Sequence, residues 1–585
     1  MRRARQRRGL VTLVIVVALV AGCGSSQPSP SADVVRSSPS PGAPASAIPS
    51  ATPNVLPRDA VVVTVSDRVR VRSEPRVSDD SIMYEPVLPL GTELFVLDGP
   101  VQGSGYTWYK VAPVSFPGLA GPGYGWVAMA DKEGEPWIAL AQGPTSGLGL
   151  AMAAVSRSPA DPADAARAAA SINAFGIDLH RRLIADETLD LGDKNVVFSP
   201  TSIALALAMA RAGAKGDTAA QMDGVLHAAG WDELAAGLNS LDVALASRNG
   251  TWKDDEGVKE LTLRLANAPF AQRGWTIEPA YLDALASAFG AGLRLVDYEA
   301  DTETARRTIN GWVNDRTGER IPELLTPDDL KPTTRLTLVN AIYLKAQWTR
   351  WFEEELTKPA PFRRLDGSRV DVPMMQRLGL QEIPYARGTG WQATELRYLG
   401  PDPSHQLAML LVLPEDLRTF ETGLTASKLE RITAAVTKEW ELLPKVVDCP
   451  GVPADHQDAG CYRYSLELFM PRFGIETRAR MNDVLEALGM SLAFDVSRAD
   501  FSGIHTPGPL FIDFVIHQAN IDVDEKGTEA AAATAVGMDV GGGPGIAEEI
   551  TLRLDRPFLY FVRDVETGAV LFMGRVADPS VPRGS

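Results

Sequence analysis

Six histidines, at positions 180, 227, 405, 456, 505 and 517, are the side chains of this 585-residue chain that ordinarily titrate near neutrality. None stands at metal-ligand spacing from another. There is no Gly-x-Ser-x-Gly elbow, no His-Glu-x-x-His zinc helix and no Gly-x-x-x-x-Gly-Lys phosphate loop, so no hydrolase, metalloprotease or nucleotide site is nominated. Thiol chemistry is confined to Cys23, Cys449 and Cys461. The last two flank a turn-rich stretch (Pro450, Gly451, Pro453, Asp455, Gly460) that looks like an inserted surface loop. Oxidation outside the cytoplasm would staple it. His456 lies between them, but two cysteines alone do not complete a four-ligand zinc site, and neither metal nor cofactor is expected.

The N-terminus supplies the export context. Arg2, Arg3, Arg5, Arg7 and Arg8 precede an apolar run from Leu10 to Ala21, well short of the ~20 residues a spanning helix needs. Leu19-Val20-Ala21-Gly22-Cys23 is similar to a bacterial lipobox, which implies a signal peptide over 1–22, lipid on Cys23 and anchorage to the extracytoplasmic side of the cell envelope. Residues 23–57, dominated by Ser, Pro and Ala, read as a tether with too little apolar surface to fold. The net charge of −17, from 74 acidic against 57 basic residues, repels phosphate backbones and excludes nucleic acid as a partner.

Two folded regions must follow. Over 58–139, short β-rich runs (61–65, 69–72, 94–97) punctuated by Gly and Pro predict a small all-β domain. The order Val69-Arg70-Val71-Arg72, Gly91-Thr92, Trp108-Tyr109-Lys110-Val111 and Gly125-Trp126-Val127 resembles a bacterial SH3-like barrel, which implies a cell-wall or peptide ligand with Trp108 and Trp126 as aromatic candidates. Core packing accounts for those tryptophans equally well. Residues 140–165 read as a linker. From 166 to 580, helical and strand patterns mix without repeat and predict an α+β domain with a large sheet. An amphipathic helix carries Phe175, Leu179, Leu183 and Ile184, a second spans 203–209 after Ser199-Pro200-Thr201-Ser202, and strands are expected near 335–344, 464–470, 511–516 and 559–562.

Along this domain, Asn195 to Ile203, Gly213-Ala214-Lys215-Gly216-Asp217-Thr218, Leu265-Ala266-Asn267-Ala268, Ile309-Asn310-Gly311-Trp312-Val313, Leu338 to Lys345 with Trp348, Met470-Pro471-Arg472-Phe473, Leu485 to Met490 and Arg556-Pro557-Phe558 occur in order. Together they resemble the serpins. The resemblance implies three β-sheets, about nine helices and an exposed reactive-centre loop. It also implies a monomer with no catalytic group of its own, and a covalent complex with a serine protease as the functional partner. It places Ser199, Ser202, Asn340 and His517 in a polar cluster behind the opening of the central sheet, a structural role.

The loop follows Glu525. Glu525, Lys526, Gly527, Thr528, Glu529, Ala530, Ala531, Ala532, Ala533 and Thr534 resemble the hinge of inhibitory serpins. A strand entering a packed sheet must bury alternate side chains. With Thr528 inward, that set is Thr528, Ala530, Ala532, Thr534, Val536 and Met538, all uncharged, while Glu529 and Asp539 fall on the other face. The four alanines also suit a helix, and an uninserted, non-inhibitory serpin acting as an envelope binding or chaperone-like protein is the alternative reading. Family spacing from Gly527 puts the scissile bond at Gly541–Gly542, but the return to Pro557 is several residues longer than usual. Counting back from Pro557 gives Ile546, and a protease could instead select Met538 or Val540. No Lys or Arg lies between Gly527 and Leu552, which points to elastase-, subtilisin- or chymotrypsin-like targets.

Overall fold

The computed structural model describes residue 56 and residues 60–581, apart from 67, 79–80, 91, 114–124, 133, 141–149, 152, 154, 156, 255–256, 381–382, 403–405, 444–460, 463, 507, 529–544 and 547. The signal, the tether except Leu56, Cys23, Cys449 and the candidate loop residues 529–534, 538 and 540–542 therefore lie outside the described residues, and Leu56 is buried in the core of the first folded region.

The first folded region is a seven-stranded antiparallel sheet in the order Met83–Leu88, Val69–Arg72, Gly125–Ala128, Tyr106–Pro113, Glu93–Gly103, Val61–Thr64, Ile138–Leu140. In Val69–Arg72 the valines are buried while Arg70 is exposed and Arg72 half-buried, the period of two that packs one face. Val62, Val69, Val71, Leu94, Val96, Val111 and Val127 share one core. Trp108 is buried and its Nε1 donates to Gly103 O at 2.7 Å, so its only polar atom is already spent inside the fold. Trp126 is half-buried, and Tyr106 stacks on Trp137 with centroids 5.9 Å apart.

Within the stretch expected to be a linker, Leu150–Ala151 pairs antiparallel with the strand Leu293–Val296, and Arg157 Nη2 reaches Asp242 Oδ2 at 2.7 Å. The first helix of the large region starts at Pro162, inside that stretch, because Asp161 caps it by accepting from Ala163 N at 2.8 Å and Pro in the first turn needs no partner.

The large region has a central eight-stranded sheet whose path runs Phe473–Arg480, Phe514–Val523, Gly527–Thr528, Leu336–Gln347, Gly257–Gln272, Leu293–Val296, Leu150–Ala151, with Gly250–Asp254 paired to Gly257–Gln272 off this path. A four-stranded sheet (Lys358–Arg363, Arg369–Leu380, Ser465–Pro471, Glu549–Arg553) and a six-stranded sheet (Tyr385–Gly388, Trp391–Arg397, Leu407–Pro414, Phe558–Asp564, Val570–Val576, Val196–Phe198) complete the layers. A further two-residue pair joins Cys461–Tyr462 to Gly545–Ile546. Nine α-helices occur among the described residues.

The central sheet is buried on both faces. Leu338, Ile342 and Val515 belong to the main core, whereas Val339, Ala341, Phe514 and Ile516 pack with Trp312 and Val313 of the helix Thr302–Arg316. The strand expected at 511–516 runs instead from Phe514 to Val523. Its apolar run stops at Ile516, but the strand continues through polar residues, of which Gln518 donates from Nε2 to Glu476 Oε1 at 2.9 Å.

Candidate functional site

The middle of the central sheet is a parallel pair, Thr337–Ile342 against Phe514–Ala519. This ladder stops at Ile342, and higher up a third strand of two residues occupies the space. Gly527 and Thr528 lie opposite Gln347 and Ala346 on one side, and Thr528 lies opposite Val523 on the other.

The chain reaches this position through a tight turn after Val523. Asp524 makes it: Oδ1 accepts from Lys526 N at 2.8 Å and Gly527 N at 3.1 Å, and its backbone N donates to Gly527 O at 3.0 Å. Burial pushes the Asp524 carboxyl above its ordinary range, partly offset by those two N–H groups. Backbone bonds clamp the turn from outside, with Trp348 N donating to Lys526 O and Phe352 N to Glu525 O, both at 2.8 Å. Glu525 is buried and accepts from Arg472 Nε at 2.7 Å on each oxygen and from the Thr357 hydroxyl. The hydrogen bond with Glu525 raises the pKa of Arg472 further.

Gly527 is the one residue type that fits its place. A Cβ there would stand 2.1 Å from Ala346 O and 2.8 Å from Gln347 Cα, both backbone atoms that cannot step aside. Thr528 is buried (1% exposed), and its hydroxyl pairs with the Tyr398 hydroxyl at 2.8 Å. Tyr398 is itself fully buried, stacked on Trp348 at 4.4 Å, and burial holds its pKa well above the usual phenol range.

Ser199, Ser202, Asn340 and His517 come together lower down, where the two middle strands pair directly. Asn340 and His517 are register partners. Ser199 caps the helix Pro200–Arg211, its Oγ accepting from Ser202 N at 3.0 Å, and its own N–H donates to His517 Nε2 at 3.0 Å. With Nε2 an acceptor, the proton sits on Nδ1 and is donated to Asn340 Oδ1. Burial lowers the His517 pKa to about 3, so the ring is neutral and both nitrogens are engaged. It is a brace, with no proton to exchange with a substrate. Asn267 completes the cluster, its amide nitrogen facing Ser202 Oγ at 2.6 Å and Ser202 O at 3.2 Å.

Separating the middle strands by one strand width, about 4.8 Å, must part Asn340 from His517. The arrangement can therefore do mechanical work rather than bond chemistry: a seam held by a polar latch, with the first residues of a third strand already seated above it. Among the described residues no group of three or more His, Cys, Asp or Glu side chains is placed to hold a metal. Sequence reasoning named the hinge and the latch residues but not Tyr398, Thr357 or the pairing of Arg472 with Glu525, and it quoted Asn267 without placing it. Arg472 and Asn267 stood within recognised motifs; Tyr398 and Thr357 carried no signal.

The comparisons agree with this geometry. The family model described as serpin (serine protease inhibitor) matches residues 170–448 and 454–579. An uncharacterized serpin-like protein of Thermococcus kodakarensis is 34% identical over 412 residues, covering 70% of this chain and 85% of its own. The leukocyte elastase inhibitor of Bos taurus is 35% identical over 386 residues, covering 66% of this chain and 93% of its own. Among solved structures, the thermophilic serpin tengpin in its native state aligns with a TM-score of 0.57 at 24% identity, covering 72% of this chain and 96% of tengpin. An Arabidopsis serpin in its native stressed conformation aligns with a TM-score of 0.54 at 25% identity, covering 72% of this chain and 100% of that serpin. The fold, the seated hinge and these matches lead to one conclusion: the chain belongs to the serpin family.

Proposed function

We propose that this serpin inhibits serine endopeptidases by trapping them covalently, with insertion of its reactive-centre loop into the central sheet. The observation that carries the reading is the hinge itself. Gly527 and Thr528 are already paired between the two middle strands with Thr528 buried, and the residues of the same register that follow are small or uncharged. The protease serine attacks a loop carbonyl, an ester forms and the new amino terminus leaves. The freed hinge side then enters the sheet and displaces the linked protease before water hydrolyses the ester. The inhibitor contributes no catalytic group.

Curated relatives include leukocyte elastase inhibitors of cattle and humans. An elastase-, subtilisin- or chymotrypsin-like target also suits a loop without Lys or Arg from 528 to 551, and the Gly541–Gly542 bond, or one at Met538 or Val540, suits such pockets. Lipid on Cys23 and the tether over 23–57 would hold the inhibitor on the outer side of the envelope, and an SH3-like fold over 58–139 would bind a cell-wall or peptide ligand.

Thr528→Arg tests the mechanism. An unpaired cation at the first buried position is disfavoured by several kcal/mol, on the order of a desolvated charge. Wild type should give a denaturant-resistant complex with an elastase- or subtilisin-like protease on gels, and the variant a cleaved chain with free, active protease. If no tested protease yields a complex with wild type and cleavage leaves its thermal stability unchanged, the trapping reading fails and a non-inhibitory binding serpin replaces it.

A further inference from the structure

Two peculiarities of this chain meet in the structure. One is the insert that carries Cys449 and Cys461; the other is the long return limb between the loop and Pro557. Cys461 lies opposite Gly545 and Tyr462 opposite Ile546, in a parallel pairing. A little further on, Ser465–Phe469 pairs in parallel with Glu549–Arg553, starting from Ser465 opposite Glu549. Both pairings have the same offset, the 84 residues that also separate Glu467 from Thr551. The two pairings therefore share one register, and Ser465 N donates to Glu548 O at 2.8 Å next to the second of them. The end of the insert thus adds a short pairing in line with the strand that holds the return limb, and Gly545–Ile546 of the return limb occupies it.

A protease reads its substrate as an extended segment that leaves its neighbours and fits the enzyme's cleft. Backbone already paired on one side, in register with an edge of a four-stranded sheet, does not do so without first being peeled away. We infer that the Cys461–Tyr462 strand is a specificity element: it withholds the bonds from Gly545 to Arg553 from proteases and sets Gly545 as the downstream limit of the cleavable loop. The inference rests on the reading that the loop is a protease's target, and it discards Ile546 as a scissile position while leaving Gly541, Met538 and Val540.

The test uses the full chain with a broad-specificity subtilisin-like protease and mass mapping of the loop, alongside amide hydrogen exchange without protease. Wild type should be cut only upstream of Gly545, and the amides of Ile546 and Glu548, which the alternation turns toward the insert strand, should exchange at least about tenfold slower than unprotected amides. Strand alternation carried back from Ser465 directs the Cys461 N–H at the return limb, so Cys461→Pro removes a rung that Cys461→Ser keeps. Cys461→Pro should gain a cut at Ile546–Ala547 and lose the exchange protection, while Cys461→Ser keeps the wild-type map. A wild-type cut within 545–553, or a folded Cys461→Pro with an unchanged map and unchanged protection, overturns the inference. Should Cys461→Pro fail to fold, exchange and cleavage of wild type still decide it. Neither readout requires a covalent complex, so failure of trapping with an intact map would sink the proposed function alone.

Discussion

Replacing Gly527 with alanine adds one methyl group and tests whether the hinge is seated in the intact molecule. The added carbon would stand 2.1 Å from Ala346 O, well inside any van der Waals contact, and the neighbouring atoms are backbone of a strand paired along its other edge with Gly257–Gln272. The hinge must then leave. Its departure gives up the rungs of Gly527 with Gln347 and of Thr528 with Ala346 and Val523, and strands the buried Tyr398 hydroxyl. A net hydrogen bond is worth about 1 kcal/mol and an orphaned buried hydroxyl about 1–3 kcal/mol, so about 3 kcal/mol is lost after local relaxation. Alanine also restricts the unfolded chain, which returns about 0.4–1 kcal/mol and leaves a net loss of about 2 kcal/mol. Urea unfolding of the full chain measures this. Lys526→Ala is the control: Lys526 Nζ lies 3.1 Å from Glu354 Oε1, but that carboxylate is 57% exposed, and such a pair contributes at most about 0.5 kcal/mol. Equal stability of Gly527→Ala and wild type would refute the seated hinge and the strand pairing built on it.

Three further outcomes are expected. Because the folded His517 pKa is about 3 against an ordinary 6.5, the unfolded chain binds a proton that the folded chain refuses as pH falls below 6.5. Stability is therefore complete above that pH and declines by about 1.4 kcal/mol per unit below it, about 2 kcal/mol by pH 5. Urea midpoints of wild type and His517→Gln should diverge in slope by that amount, and parallel pH profiles would contradict a buried neutral ring. Peptide mapping of exported protein without reduction should recover Cys449 and Cys461 as one linked pair; two free thiols would remove the staple. Cys23→Ala should release the protein from the envelope into the medium, and unchanged retention would count against lipid on that residue.

What could be read in the sequence was whatever a short stretch decides by itself. Ser199-Pro200 announces a capped helix, the alternation after Thr528 announces a strand that can be buried, and His517 directly after Phe514-Val515-Ile516 reads as a core residue with partners. The strand through Val523 was cut short at Ile516 because its polar residues are acceptable only once Glu476 and its neighbours stand beside them. The hinge seat was out of reach for the same reason. Glu525 is held by Arg472, 53 positions away, and by Thr357, 168 away, and Thr528 by Tyr398, 130 away. Nothing local in those residues marks them as partners. The helix Pro162–Ala185 begins inside the stretch read as a linker because its alanines look like spacer until Asp161 is recognised as a cap.

The direction of the hinge has a thermodynamic meaning. Strands 336–347 and 514–523 run parallel to one another, whereas Gly527–Thr528 runs antiparallel to both. Every residue that followed Thr528 along the same path would exchange a share of one slanted parallel ladder for shares of two antiparallel ones, with more hydrogen bonds and somewhat better ones. If the loop inserts as proposed, the intact molecule rests above an arrangement that its own sequence can form. What keeps it there is topology: the same segment continues into a return limb fastened in another sheet, and it cannot be in both places while the backbone is unbroken. On the proposed mechanism a single peptide bond, placed between two competing sheets, acts as the catch of a loaded spring.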